Sequence, residues 1–255
     1  MFRPKIVGFV CNWSLPAEID FAITKQIRAH PKIHIVRVMC IGRIDPAIVL
    51  ETFAKGADGV LVIGCHPPDC HYVEGNLHTE RKIKMLKALI SLTGLEPERL
   101  QLDWAYASET DRFAKIINDF RNQVDVLGPS PLAGRRPDSN VLLNMKAAKA
   151  AAEDFRLRVL VGREMELTEM ENVYGERISH EEFDALLREI IEAEFIRQKI
   201  HFLTKEKPMS VTEIAAIINM NPALVLRQIV SMRMKGMITL DHVERTTPLY
   251  KALEV

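Results

Sequence analysis

Cysteine is scarce in this chain, with four among 255 residues. So few cannot build the dense framework of a secreted disulfide scaffold. No C-x-x-C occurs, so the usual dithiol redox pair and the usual zinc knuckle are both missing. Net charge is missing too: 34 Lys and Arg stand against 34 Asp and Glu. A neutral chain has no overall field to gather nucleic acid or anionic membrane, although a local patch stays open. No apolar run reaches the roughly 18 residues of a membrane helix. The short apolar run near the start follows Pro4 and Lys5 and ends at Cys11, Asn12 and Trp13. That suits a buried strand better than the longer core of a signal peptide, and the expected location is the cytoplasm. Neither G-x-G-x-x-G nor a Walker loop follows that run, where C-N-W-S-L-P stands instead. No Ser/His/Asp order is identifiable, and carboxylates such as Glu98 and Asp103 read as solvated faces. The expectation is a protein without catalytic machinery of its own.

What is present is an alternation of strand and helix signals. Residues 5–11, 33–40, 58–65 and 99–105 read as short strands, the first apolar throughout and the second rich in β-branched residues. Helices are expected at 16–30, 45–56, 75–94 and 108–127. Asp45 is placed as an N-cap before Pro46, Gly56 as a C-cap, and Ser108 as the cap of the last helix. Alternation of this kind predicts an α/β fold: an open parallel four-stranded sheet with helices on both faces. The domain is expected to span 1–128. Residues 129–178 read as a proline-bearing linker with one helix at 141–156 and irregular chain at 163–179. A long helix at 180–204 follows. Then come a capping box at Ser210–Glu213, a helix at 211–218, a turn at Asn219–Asn221, a helix from Pro222 to Gly236, and an alternating hairpin. That order predicts a mostly helical, winged-helix-like domain at 179–255.

The cysteines coincide with this pattern. Cys11, Cys40 and Cys65 each close a strand, and Cys70 lies in the following loop, G-C-H-P-P-D-C-H. In an open parallel sheet the carboxyl ends of the strands share one edge, and ligand sites form outside it. All four are therefore expected on one side of the domain. Free cysteines are most often small buried hydrophobes, and a zinc-stabilised scaffold is a second option. Four thiolates from separate loops can also hold an iron–sulfur cluster.

The stretches VGFVCNW, RVMCIGRIDP, FAKGADGVLVIGCHPPDCHYVEGN and LEPERLQLDWAYASE carry a specific likeness. Over residues 5–128 the chain resembles the small iron–sulfur (delta) subunit of the F420-non-reducing, methyl-viologen-reducing hydrogenase. The resemblance implies a [2Fe–2S] cluster that passes electrons to a flavoprotein like heterodisulfide reductase A, within a larger complex. The electron donor would be a hydrogenase or dehydrogenase module. The family typically reads C-N-W-C in the first loop, whereas Ser14 here replaces the second cysteine. Four cysteines remain, the number such a cluster needs if every ligand is a thiolate.

Around them, His66 and His71 are read as hydrogen-bond donors or docking residues rather than ligands. Gly42 and Gly64 are expected to let backbone approach the cluster. Arg43 is a candidate to neutralise its charge or a plain surface residue, and Trp13 to shield it, to fill an interface or to pack in the core. In the C-terminal segment, residues 179–255 hold 10 Lys or Arg and 11 Asp or Glu. A DNA reader normally shows a basic face, so a protein-interaction module is favoured over nucleic-acid binding. The competing reading is a redox-sensing transcription regulator, with the cluster as sensor and the winged helix on DNA.

Overall fold

The computed structural model describes residues 2–15 and 33–254. The helix expected at 16–30 lies outside the described residues. Four strands, β1 (Ile6–Cys11), β2 (Ile33–Val38), β3 (Gly59–Gly64) and β4 (Leu100–Trp104), form one parallel sheet in the order β2-β1-β3-β4. The sequence GVLVIG of β3 is buried along its whole length, as a central strand covered on both faces requires. Strand β2 alternates and leaves Val36 exposed, which suits its place at the sheet edge.

Helices cover both faces. Helix α1 (Pro46–Ala54) starts where Asp45 accepts a hydrogen bond from the Ala47 N–H and Pro46 supplies a preset φ. With α2 (Gly75–Ser91) it packs on the face carrying Phe9, Val60 and Val62. Helix α3 (Thr110–Leu127) closes the other face, setting Phe113, Ile117, Phe120 and Val124 on Ile6, Val10, Leu61 and Ile63. Ser108 does not cap it: the residue before the first turn is Glu109, and no side-chain cap forms.

The edge bearing the strand amino ends is held by polar groups. Asp58, 2% exposed, accepts the Lys5 and Ser130 backbone N–H groups at 2.8 Å each. Arg99, 1% exposed, donates to Glu96, to the Asp58 carbonyl and to the Leu127 and Gly128 carbonyls. The last two are orphan acceptors at the end of α3, where a cation is favoured.

After residue 128, three helices stand where one was expected: α4 (Ser139–Glu153), α5 (Phe155–Gly162) and α6 (Glu164–Glu169). Asp154 leaves helical geometry and caps α5, splitting the Ala-rich run. The fully buried Ala147, Ala148, Ala151 and Ala152 have almost no side chain to hold α4 away from its neighbours. They join Leu50, Phe53, Phe183, Leu187 and Ile191 in one core. Helix α7 (His180–Glu206) therefore begins in the core of the α/β region. Its far end enters a second core with Ile200, Met209, Ile214, Val225, Ile229 and Tyr250. That second core is built by a short β5 (Met209–Ser210), α8 (Val211–Ile218), α9 (Pro222–Met234) and the hairpin β6 (Ile238–Glu244) and β7 (Thr247–Ala252). The sheet order is β5-β7-β6, antiparallel. Helices α8 and α9 are bent 113° from one another around the left-handed Asn219. Among the described residues no single helix is long and apolar enough to cross a membrane.

Arg99→Met keeps the apolar stem and removes every donor, leaving several carbonyls without their bonds. The expected loss is about 2–4 kcal/mol of unfolding free energy, read as a lower urea midpoint. Arg99→Lys should recover only part of it, since an ammonium cannot reach the same fork of acceptors. An unchanged midpoint would show that this polar edge is dispensable.

Candidate metal centre

Strand order places β1 and β3 side by side, with β2 reached on one flank and β4 on the other. The order in which the chain crosses the sheet therefore reverses between β1 and β3, the place where open parallel sheets build their ligand sites. Cys11 is the last residue of β1, and Cys65 directly follows β3. Their sulfurs lie 3.8 Å apart and share a hydrogen bond. Cys40 follows β2 and opens the single 3-10 turn Ile41–Arg43, its sulfur accepting the Gly42 N–H at 3.4 Å. Cys70 lies in the loop after β3, and its sulfur and that of Cys40 both crowd the position that a Cβ on Gly75 would take. The four sulfurs thus stand as two pairs, Cys11 with Cys65 and Cys40 with Cys70.

Cys11, Cys40 and Cys65 are buried, and Cys70 is half-buried. Burial pushes the Cys11 thiol up to about 11 and raises that of Cys40 as well, because a thiolate without a partner is poorly solvated there. Neutral thiols are weak nucleophiles, so the site is poorly suited to nucleophilic thiol chemistry at neutral pH. It is well suited to a metal, whose charge replaces the lost hydration of several thiolates. Two thiolates on one tetrahedral ion, with bonds of about 2.3 Å as in zinc sites, lie roughly 3.8 Å apart. The Cys11–Cys65 spacing has that value. Among the described residues, no three His, Cys, Asp or Glu side chains converge on one point as a single ion would require.

Several residues around the sulfurs differ in role from the sequence reading. A Cβ at Gly75 would lie 2.4 Å from the Cys40 sulfur and 3.3 Å from that of Cys70, so the first residue of α2 must be glycine for this pair to sit as it does. Gly42 meets the Gly75 backbone, and Ile41 fills the space at Gly64. A side chain at either position would collide with these neighbours. Arg43 is exposed. Lys82 lies beneath the Cys40 turn and donates to the Gly42 carbonyl at 2.7 Å and the Ile44 carbonyl at 3.3 Å. Burial lowers the Lys82 ammonium below its ordinary pKa. Asn76, 1% exposed, donates to the Cys65 carbonyl at 3.3 Å. Spacing gives no hint of Lys82 or Asn76, since their significance lies in bonds to carbonyls of distant loops.

The two histidines are occupied elsewhere. His66 lies 3.0 Å from a Glu109 oxygen and beside the ring of Tyr106, whose hydroxyl donates to Asp69. His71 stacks on Trp13 with ring centroids 3.5 Å apart. Trp13, Met39, Tyr72 and Val73 are exposed, so Trp13 does not belong to the core. An open cleft of about 450 Å³ runs beside Cys40, lined by Met39, Arg43, Tyr72, Val73, Glu74 and His78.

Residues 6–128 match the family model of the methyl-viologen-reducing hydrogenase delta subunit. The chain is 43% identical over 131 residues to the iron–sulfur subunit of an F420-non-reducing hydrogenase from Methanococcus voltae. That match covers 51% of this chain and 91% of the relative. The chain belongs to the delta-subunit family. A second member, the corresponding iron–sulfur protein of the F420-non-reducing hydrogenase from Archaeoglobus profundus, is 41% identical over 128 residues, covering 50% of this chain and 93% of that one. A third match lies inside a longer protein of Methanosarcina acetivorans, heterodisulfide reductase A of the ferredoxin/F420H2-dependent CoB–CoM type. It is 41% identical over 126 residues, covering 49% of this chain and 16% of that protein. All four cysteines fall within the delta-subunit region, and the chain extends well beyond it at the carboxyl end.

Gly75→Ala is expected to keep the far-ultraviolet circular dichroism of the native chain. Iron retained after anaerobic reconstitution should drop below half, because the new methyl displaces Cys40 and Cys70 together. Full iron retention would mean that the sulfurs have room to withdraw.

Proposed function

We propose that this protein is an electron-transfer subunit whose 1–128 region holds a [2Fe–2S] cluster on Cys11, Cys40, Cys65 and Cys70. The observation that carries the reading is the pairing of the sulfurs at one sheet edge. A [2Fe–2S] cluster needs two thiolates on each of two irons. Cys11 and Cys65, with sulfurs 3.8 Å apart, would supply one such pair, and Cys40 and Cys70, whose sulfurs flank Gly75, the other. When bound, the cluster would accept and release one electron at a time. The protein's own part is to desolvate the thiolates, to place Lys82 beneath the Cys40 turn, and to leave an apolar rim open for a partner.

The partner in this reading is a flavoprotein like heterodisulfide reductase A, and the donor is a hydrogenase or dehydrogenase module. In the Methanosarcina acetivorans protein a delta-subunit-like stretch makes up 16% of heterodisulfide reductase A, so there the two share a single polypeptide. The exposed Trp13, Met39, Tyr72 and Val73 suit docking at the cysteine edge, where donor and acceptor must come close. Residues 129–178 would connect this region to 179–255, which we read as a winged-helix-like module that binds protein. Helix α9 exposes Leu224, Leu226, Val230 and Met234 beside Arg227 and Arg233, a face more apolar than phosphate contact calls for.

Anaerobically reconstituted protein is expected to carry two irons per chain with the visible spectrum of a [2Fe–2S] centre, and Cys65→Ala to lose them. Two irons remaining after Cys65→Ala, or zinc in a colourless protein, would overturn the assignment. For the C-terminal module, footprinting at physiological salt is expected to find no protected sequence. A discrete footprint would favour the redox-sensing regulator instead.

A further inference from the structure

Ser14 is 0% exposed, yet it carries a hydroxyl. It ends a tight turn in which its backbone N–H donates to the Cys11 carbonyl at 3.1 Å. That turn directs the side chain inward, and the hydroxyl donates to the Cys65 sulfur across 3.7 Å. A buried hydroxyl needs an acceptor, and here the acceptor is one of the four sulfurs. We infer that Ser14 is a positioning residue that sets the reduction potential of the centre through Cys65. This rests on the reading that Cys65 is a cluster ligand.

The physical argument concerns the difference between two redox states. Taking up one electron from a one-electron donor adds negative charge that spreads onto the sulfurs, and giving it up removes that charge. No bond to Ser14 forms or breaks, and its proton stays on the oxygen. An O–H donor aimed at a sulfur is bound more strongly when that sulfur is more negative, so it stabilises the reduced state more than the oxidised state. Hydrogen bonds to sulfur are among the known determinants of cluster potential. Gly42 N–H plays the same part toward Cys40 at 3.4 Å, but as a backbone group it cannot be removed by substitution. Among the described residues, Ser14 is the side-chain donor to a cysteine sulfur that a substitution can test.

The experiment is a redox titration of the full-length chain, reconstituted anaerobically, with iron counted on the same samples. Ser14→Ala is expected to keep its iron and its visible spectrum. Its reduced-to-oxidised ratio at a fixed ambient potential should fall by about threefold to tenfold, tenfold being a 59 mV shift for one electron. Ser14→Thr, which keeps a hydroxyl, is expected to stay near the native value. Unchanged potential with iron retained in Ser14→Ala would overturn the inference and leave the cluster assignment standing. Iron loss in Ser14→Ala would make the serine a ligand, which also overturns it. Full iron in Cys65→Ala would instead remove the reading on which it rests. In the unaltered protein, a deuteron exchanged onto the hydroxyl should couple magnetically to the reduced centre, and should be missing in Ser14→Ala. An identical set of exchangeable couplings in both would count against the inference.

Discussion

Strand β1 pairs in parallel with β2 on one side and with β3 on the other, and this pairing decides where the cysteines end. Parallel strands deliver their last residues to the same edge. A sheet whose first strand lies inside it must send the chain in opposite directions from that strand, so the loops part and leave a crevice. Cys11 and Cys65 stand buried at that edge. Cys40 enters from the flank through its 3-10 turn, and Cys70 returns through the loop toward Gly75. A one-residue slip of β1 against β3 would turn Cys11 to the other face and dissolve the Cys11–Cys65 pair. The polar clamp of Asp58 and Arg99 at the opposite edge holds that register, because both residues bond to chain ends of the strands and of α3.

The division of labour between the two edges has an electrostatic basis. At the amino edge the buried charges are matched: Arg99 finds carbonyls and Glu96, and Asp58 finds amides. At the carboxyl edge the thiols are buried without an equal number of donors, so Cys11 and Cys40 hold their protons more tightly than free thiols do. One edge is matched in charge as folded, while at the other burial keeps Cys11 and Cys40 protonated. Its rim also departs from an ordinary surface. Trp13 and His71 stack in the open, and Met39, Tyr72 and Val73 extend the apolar patch beside the sulfurs.

Helix α7 runs from the core of the α/β region into the second core. The first turns of α7 pack on α4 and α2, and its last turns carry the second core. Ion pairs Lys149–Glu51 and Arg158–Asp45 join the outer helices to α1, though exposed pairs of this kind contribute little beside the apolar core. Glu194, 2% exposed, binds Arg197 and Lys235 and ties the middle of α7 to the end of α9. Movement of one half relative to the other would have to break that buried group or bend α7.

Much of the architecture was legible because it depends on local chemistry. Alternating apolar runs marked the four strands, Asp45 and Pro46 marked α1, and Ser210 with Glu213 marked α8, since caps and periodicity act within a few residues. The likeness to the delta-subunit family was legible for the same reason, as contiguous motifs. Counting strands also placed the cysteines at one edge, because parallel topology leaves no other choice. What the linear pattern did not contain was the break at Asp154 or the cap lost at Ser108, where tertiary packing outweighs weak local signals. Nor did it contain the pairing of Cys11 with Cys65, the cradle at Gly75, or the cation Lys82 beneath the Cys40 turn. Nor did it reveal the turn of Ser14 toward a sulfur. Each of these is a contact between groups from separate loops, and the distance between such groups exists only once the sheet has brought its edges together.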